Sequence, residues 1–141
     1  MGFSDIGAYG SEIETPNIDR LAAEGMKFTD AYSACTVCSL TRASIMTGKY
    51  PARTGVTTYL LSPERDAAHV RSHLPLEEFT IAEAFQEHGY ATGYFGKWHL
   101  GTLTTKIRDS NRGNLGNFEE FSIPTQHGFD EVFSTEAKVT T

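Results

Sequence analysis

One helix–strand–loop unit constrains this chain most: "TIAEAFQEHGYATGYFGKWHLG", from Thr80 to Gly101. Thr80 and Glu83 have the spacing of a capping box, in which each side chain satisfies the other's backbone N–H. Ile81, Ala84 and Phe85 fall at i, i+3 and i+4 and predict a buried stripe. Gly89 predicts the helix end. "YATGYFG" reads as a strand and "KWHLG" as the loop it delivers. Helices returning to strands that open into polar loops make a layered α/β fold. Ligands in such folds sit beyond the carboxyl ends of the strands.

The rest of the chain fits that class. Thr15 is placed as an N-cap, Pro16 at the first helical position, and Ile18, Leu21 and Ala22 form an apolar face closed by Gly25 in the left-handed C′ conformation. "MKFTDAY" alternates and predicts a short strand with Met26 and Phe28 on one face. Ser39–Thr47 predicts a helix closed by Gly48. A long irregular stretch, 49–79, carries Pro51, Pro63 and Pro75. Residues 102–126 read as a polar excursion, and "GFDEVFST" as a last strand. Cys38 and the Lys97/His99 pair each follow a predicted strand, so they are expected to converge on one edge.

With 141 residues, 39% of them hydrophobic and 21% charged, the chain has the size and composition of one modest domain over 1–141. A net charge of −6 argues against a sequence-independent nucleic-acid binder. No apolar run is long enough to span a membrane, and no secretory leader opens the sequence. The two cysteines leave the compartment open.

Both cysteines lie in "CTVCSLTRASIMTG", Cys35 to Gly48. As a redox pair, the attacking thiol should sit at a helix N-terminus, a place that here belongs to Cys38. A zinc site needs four ligands, and the five histidines lack partner spacing. Two small inert cysteines are the plainest reading of the spacing. Arg42 changes that balance. At i+4 from Cys38 it shares a helical face, so thiol, free amides and guanidinium form an oxyanion site. Lys97 and His99 flank Trp98, and in an extended segment they project together, one a fixed cation and the other a proton carrier near neutral pH. His69, His73 and His88 read as solvated, and His127 as structural packing.

These residues resemble a known family. "CSLTRASIMTGKYPARTG" is similar to the first sulfatase signature, C-x-P-[ST]-R followed by T-G-[KR], and "GYATGYFGKWHLG" to the second, with its G-K-x-H core. "ETPNIDRLAAEGMKFTDAY" and "HGFDEVF" resemble the family's linking segments, so the likeness covers nearly the whole chain. It implies an alkaline-phosphatase-like α/β/α sandwich. It also implies a sulfuric ester hydrolase whose signature cysteine becomes formylglycine. On this sequence that role falls on Cys38, with Arg42 holding the aldehyde hydrate, Lys97 binding a sulfate oxygen and His99 handling its proton. A divalent cation, usually calcium, would have Cys38 as one ligand. The implied partners are a sulfated small molecule or carbohydrate and a formylglycine-generating maturation enzyme, and the implied location is periplasmic, extracellular or lysosomal.

Two departures stand out. Leu40 occupies the place of the signature proline, a residue that maturation enzymes read. The family's metal-binding Asp-Asp pair is expected just before Met1, and Asp5 does not match it. The chain is therefore expected to be an internal fragment lacking the first strand and the C-terminal half, and inactive alone. The rival readings are a phosphodiester or phosphonate hydrolase of the same superfamily and a non-catalytic anion-binding module.

Overall fold

The computed structural model describes residues 2, 4–57, 73–104 and 122–135. They fall in two compact units, 1–32 and 33–141.

In the first unit, a 3-10 turn at Gly7–Tyr9 precedes helix α1, Pro16–Glu24. Pro16 opens the helix as expected, but the Thr15 side chain does not cap it. Its hydroxyl accepts from the Gly7 amide at 2.8 Å and donates to Asp19 at 3.0 Å, and Asp19 also accepts from the Ala8 amide at 2.7 Å. Thr15 thus ties the turn to the helix instead of closing its first turn. Gly25 is also not left-handed: its φ of −115° is extended, although its amide still closes on the Leu21 carbonyl. No residue of α1 is buried, and Leu21 is 71% exposed. The strand expected from Met26 does not form. Tyr9 Oη donates to the Phe28 carbonyl at 2.6 Å and Lys27 Nζ to the Ala8 carbonyl at 3.0 Å, so side chains hold the segment where no partner strand does.

The second unit holds α2 (Cys38–Thr47), α3 (Pro51–Thr54), α4 (Ile81–Glu87), β1 (Gly93–Lys97) and β2 (Glu131–Thr135), with a 3-10 turn at Pro124–His127 before β2. Helix α2 starts one residue before the expected position, and Gly48 ends it at φ +66°. Pro51 starts α3 rather than merely breaking the chain, as its fixed φ suits the first helical turn. The Thr80–Glu83 capping box is present. The predicted stripe has the right period but the wrong phase: Ile81 and Phe85 are about half exposed, and Ala82 is the buried residue.

β1 and β2 pair in parallel, Gly93 opposite Glu131 and Lys97 opposite Thr135. The Trp98 amide donates to the Thr135 carbonyl at 2.8 Å, extending the pairing to the threshold of the loop. Alternation puts Tyr94 and Trp98 on the core side with Ala43, Val56, Leu74 and Leu100, while Phe95 and its register partner Phe133 are exposed. Most of the 102–126 stretch, together with Pro63 and His69, lies outside the described residues.

Candidate active site

Cys38 is the first residue of α2, where the opening amides have no intrahelical acceptor and the helix dipole is positive. Ser39, Leu40 and Ala43 anchor that helix in the core, which leaves the Cys38 thiol half-buried at its mouth. Cys38 Sγ lies 3.1 Å from His99 Nδ1, and Lys97 Nζ donates to the same sulfur at 3.4 Å. One sulfur therefore meets an ammonium, an imidazole and a helix N-terminus.

The reason Lys97 and His99 converge differs from simple strand alternation. Lys97 is the last residue of β1, and His99 adopts a left-handed φ of 52°, the one positive value at a non-glycine among the described residues. Such a conformation is costly for an L side chain and persists where its surroundings hold it. Here the turn brings the 3% exposed imidazole back over Cys38 while Trp98 stays in the core. Nor does Cys38 follow a strand as expected. An irregular segment delivers it, pinned by Thr41, whose hydroxyl donates to the Cys35 carbonyl at 2.7 Å.

Arg42 sits one turn along α2. Its Nη1 donates to Tyr94 Oη at 3.0 Å and to the Lys97 carbonyl at 2.5 Å. Tyr94 Oη donates to that same carbonyl. Among the described residues no hydrogen bond joins Arg42 to Cys38, so the guanidinium reaches the site through the backbone of Lys97. Burial pushes the Tyr94 phenol up, opposed by the charge and hydrogen bond of Arg42.

Trp98, fully buried, fastens the loop from behind. Its Nε1 donates to the Ser122 carbonyl at 2.8 Å, and its ring meets Tyr94 edge-on at 5.1 Å and His127 at 5.6 Å. Gly101 permits this approach, because a Cβ there would lie 1.8 Å from the Ser122 carbonyl oxygen. His127 is packed as expected: it is fully buried, its Nε2 is 2.7 Å from Ser122 Oγ, and its carbonyl accepts from Thr80 Oγ1 at 2.8 Å.

Burial holds the His127 pKa below its ordinary 6.5, with Glu83 opposing and His73 adding to the shift. The unfolded chain then binds a proton that the folded chain refuses, so this contribution to stability is complete above about pH 6.5 and lost as pH falls below it. Melting curves at about pH 7.5 and about pH 5.5 should show that loss, and His127→Gln should remove part of it.

The structure thus gathers Cys38, Lys97 and His99 at one point and places Arg42 behind Lys97. Cys35 is a free thiol, like Cys38, held in the segment leading into α2. His88 is exposed and bonds the Ala84 carbonyl. Sequence reasoning assigned no part to Tyr94 or Ser122. The same-face spacing of Tyr94 in β1 and Trp98 just after it was the available signal for Tyr94, and nothing local marks Ser122.

A protein-family model described as Sulfatase matches residues 1–140. Arylsulfatase A of Bos taurus is 40% identical over 130 residues, covering 92% of this chain and 22% of that protein. The solved structure of Ps i-CgsB superposes with a TM-score of 0.72 at 32% identity, over 98% of this chain and 26% of that one. A second structure of that protein, in complex with k-i-k-neocarrahexaose, gives a TM-score of 0.70. The chain thus spans about a quarter of its relatives' length and has the corresponding part of their alkaline-phosphatase-like α/β fold. A match over almost every residue, with the Cys38–Arg42 and Lys97–His99 motifs meeting in space, makes this chain a member of the sulfatase family.

Proposed function

We propose that this chain builds the nucleophile side of a sulfate-ester hydrolysis site, centred on residue 38. The observation that carries the reading is the convergence of Lys97 Nζ and His99 Nδ1 on Cys38 Sγ at the positive end of α2. Sγ stands in for the reactive oxygen of a modified residue. An aldehyde made from Cys38 would, once hydrated, supply one hydroxyl to attack sulfur and a second whose deprotonation frees the sulfate. The half-buried thiol, met by an ammonium and an imidazole and hydrogen-bonded to no carboxylate among the described residues, fits such a group.

The chain's own residues then divide the work. Lys97 carries the fixed charge that binds a sulfate oxygen and the developing charge on the leaving alcohol. His99 Nδ1 takes the proton at the attacking position. Arg42 holds the Lys97 carbonyl and offers its remaining donors to the hydrate. A sulfated carbohydrate is the proposed substrate class, by likeness to the protein solved with neocarrahexaose. A hard divalent cation wants six to eight oxygen ligands. No group of three or more His, Cys, Asp or Glu able to hold a metal occurs among the described residues. The donors among the described residues do not by themselves fit calcium, and Cys38 after conversion contributes at most one oxygen.

The test is hydrolysis of an aryl sulfate against an aryl phosphodiester by the full-length protein matured at residue 38. Faster sulfate turnover supports the proposal, and faster phosphodiester turnover replaces it with a phosphoesterase.

Leu40 bears on maturation. It is the third residue of α2, 6% exposed, and its amide lies among the opening N–H groups that no helical carbonyl accepts. Proline there forfeits no helical hydrogen bond and loses about 1 kcal/mol of apolar burial. Leu40→Pro is expected to keep the fold and raise the fraction of Cys38 converted by a maturation enzyme, read by peptide mass. An unchanged fraction would remove Leu40 as the controlling residue.

A further inference from the structure

Tyr94 holds together the two motifs that carry the chemistry, though neither assigns it a part. We propose that its hydroxyl is a positioning group, closing a hydrogen-bond ring with Arg42 and the Lys97 carbonyl that sets where Lys97 and His99 meet residue 38. The proposal rests on the sulfate-ester reading of that site.

The ring is closed on every side. Arg42 Nη1 donates to Tyr94 Oη at 3.0 Å and to the Lys97 carbonyl at 2.5 Å, and Tyr94 Oη donates to the same carbonyl. That carbonyl belongs to the peptide joining Lys97 to Trp98. Tilting it moves the Lys97 side chain on one side and, through Trp98, the left-handed His99 on the other. Two donors on one carbonyl remove that freedom. The tyrosine is itself immobile: it is 9% exposed, with its ring edge-on to Trp98 at 5.1 Å and to Phe129 at 4.9 Å. Burial also favours the protonated phenol, so the hydroxyl keeps the hydrogen it donates. Packing alone asks only for an aromatic ring at this position. The hydroxyl adds a second donor to the Lys97 carbonyl and an acceptor for Arg42, bracing the direct bond between residue 42 on α2 and residue 97 at the end of β1.

Tyr94→Phe isolates that link, since it keeps the ring. In the matured full-length protein it should lower kcat on an aryl sulfate about tenfold and leave KM within about twofold, because the lost alignment matters most in the transition state. The melting temperature should stay within about 3 °C. Added to Arg42→Lys, the change should cost less than about twofold more, as both break one ring. In the 15N-labelled protein, His99 ring signals should shift and Arg42 Nη–H exchange should quicken about tenfold. This second arm needs no turnover. If the matured full-length protein hydrolyses no aryl sulfate, the functional reading fails while the hydrogen-bond ring is still tested. Unmoved His99 signals overturn the proposal. A larger fall in melting temperature overturns it too, assigning Tyr94 to stability alone.

Discussion

Trp98→Ala is expected to cost about 3–5 kcal/mol of folding stability, the range for removing a fully buried large aromatic. The side chain is 0% exposed and meets Tyr94, His127 and Phe129. Its removal opens a cavity where β1, the loop after it and the turn before β2 meet. It also leaves the Ser122 carbonyl without the indole donor it has at 2.8 Å. Domains are stable by only about 5–15 kcal/mol, so the variant would lose a large share of that margin. Trp98→Phe separates the two contributions. It keeps much of the apolar volume but strands the carbonyl, for a loss of about 1–3 kcal/mol. Urea unfolding midpoints of the two variants measure this. The effect reaches the site as well, since Trp98 lies between the two residues that touch Cys38. If Trp98→Ala melted like the native chain, the loop would be held by something other than this core.

The second large effect concerns His99. In the full-length protein, if the proposed site operates there, His99→Gln should lower aryl sulfate turnover by about 10²–10⁴-fold, the usual contribution of a positioned general base or acid. Glutamine approximates the size and polarity of the imidazole but cannot exchange a proton near neutral pH. The rate should therefore fall together with the limb of the pH profile that His99 controls. Lys97→Ala removes the ammonium that lies 3.4 Å from Sγ and should depress rate without erasing that limb. Activity that survived His99→Gln with its pH profile intact would place the proton carrier elsewhere.

What could be read from sequence divides by range. The Thr80–Glu83 box and the helix stop at Gly48 were legible because caps depend on a few neighbouring residues. Lys97 and His99 were rightly expected to project together, although the structure uses a left-handed His99 rather than an extended one. The strand at Met26 failed because a strand needs a partner, and periodicity does not supply one. The stripe on α4 failed in phase: Ile81 and Phe85 have the right spacing, but α4 turns Ala82 inward. Thr15 was placed in a cap because its local setting allows one. A nearby turn offered its hydroxyl other partners in Gly7 and Asp19. Arg42 shows the same limit most clearly. Its spacing from Cys38 was visible, but its contacts with Tyr94 and the Lys97 carbonyl cross more than 50 residues of chain. No local pattern announces them.

The most direct test is the mass of the peptide bearing residue 38, taken from protein co-produced with a formylglycine-generating enzyme. The account predicts an aldehyde at residue 38, in a fraction that rises in Leu40→Pro. An intact thiol in both proteins would contradict it.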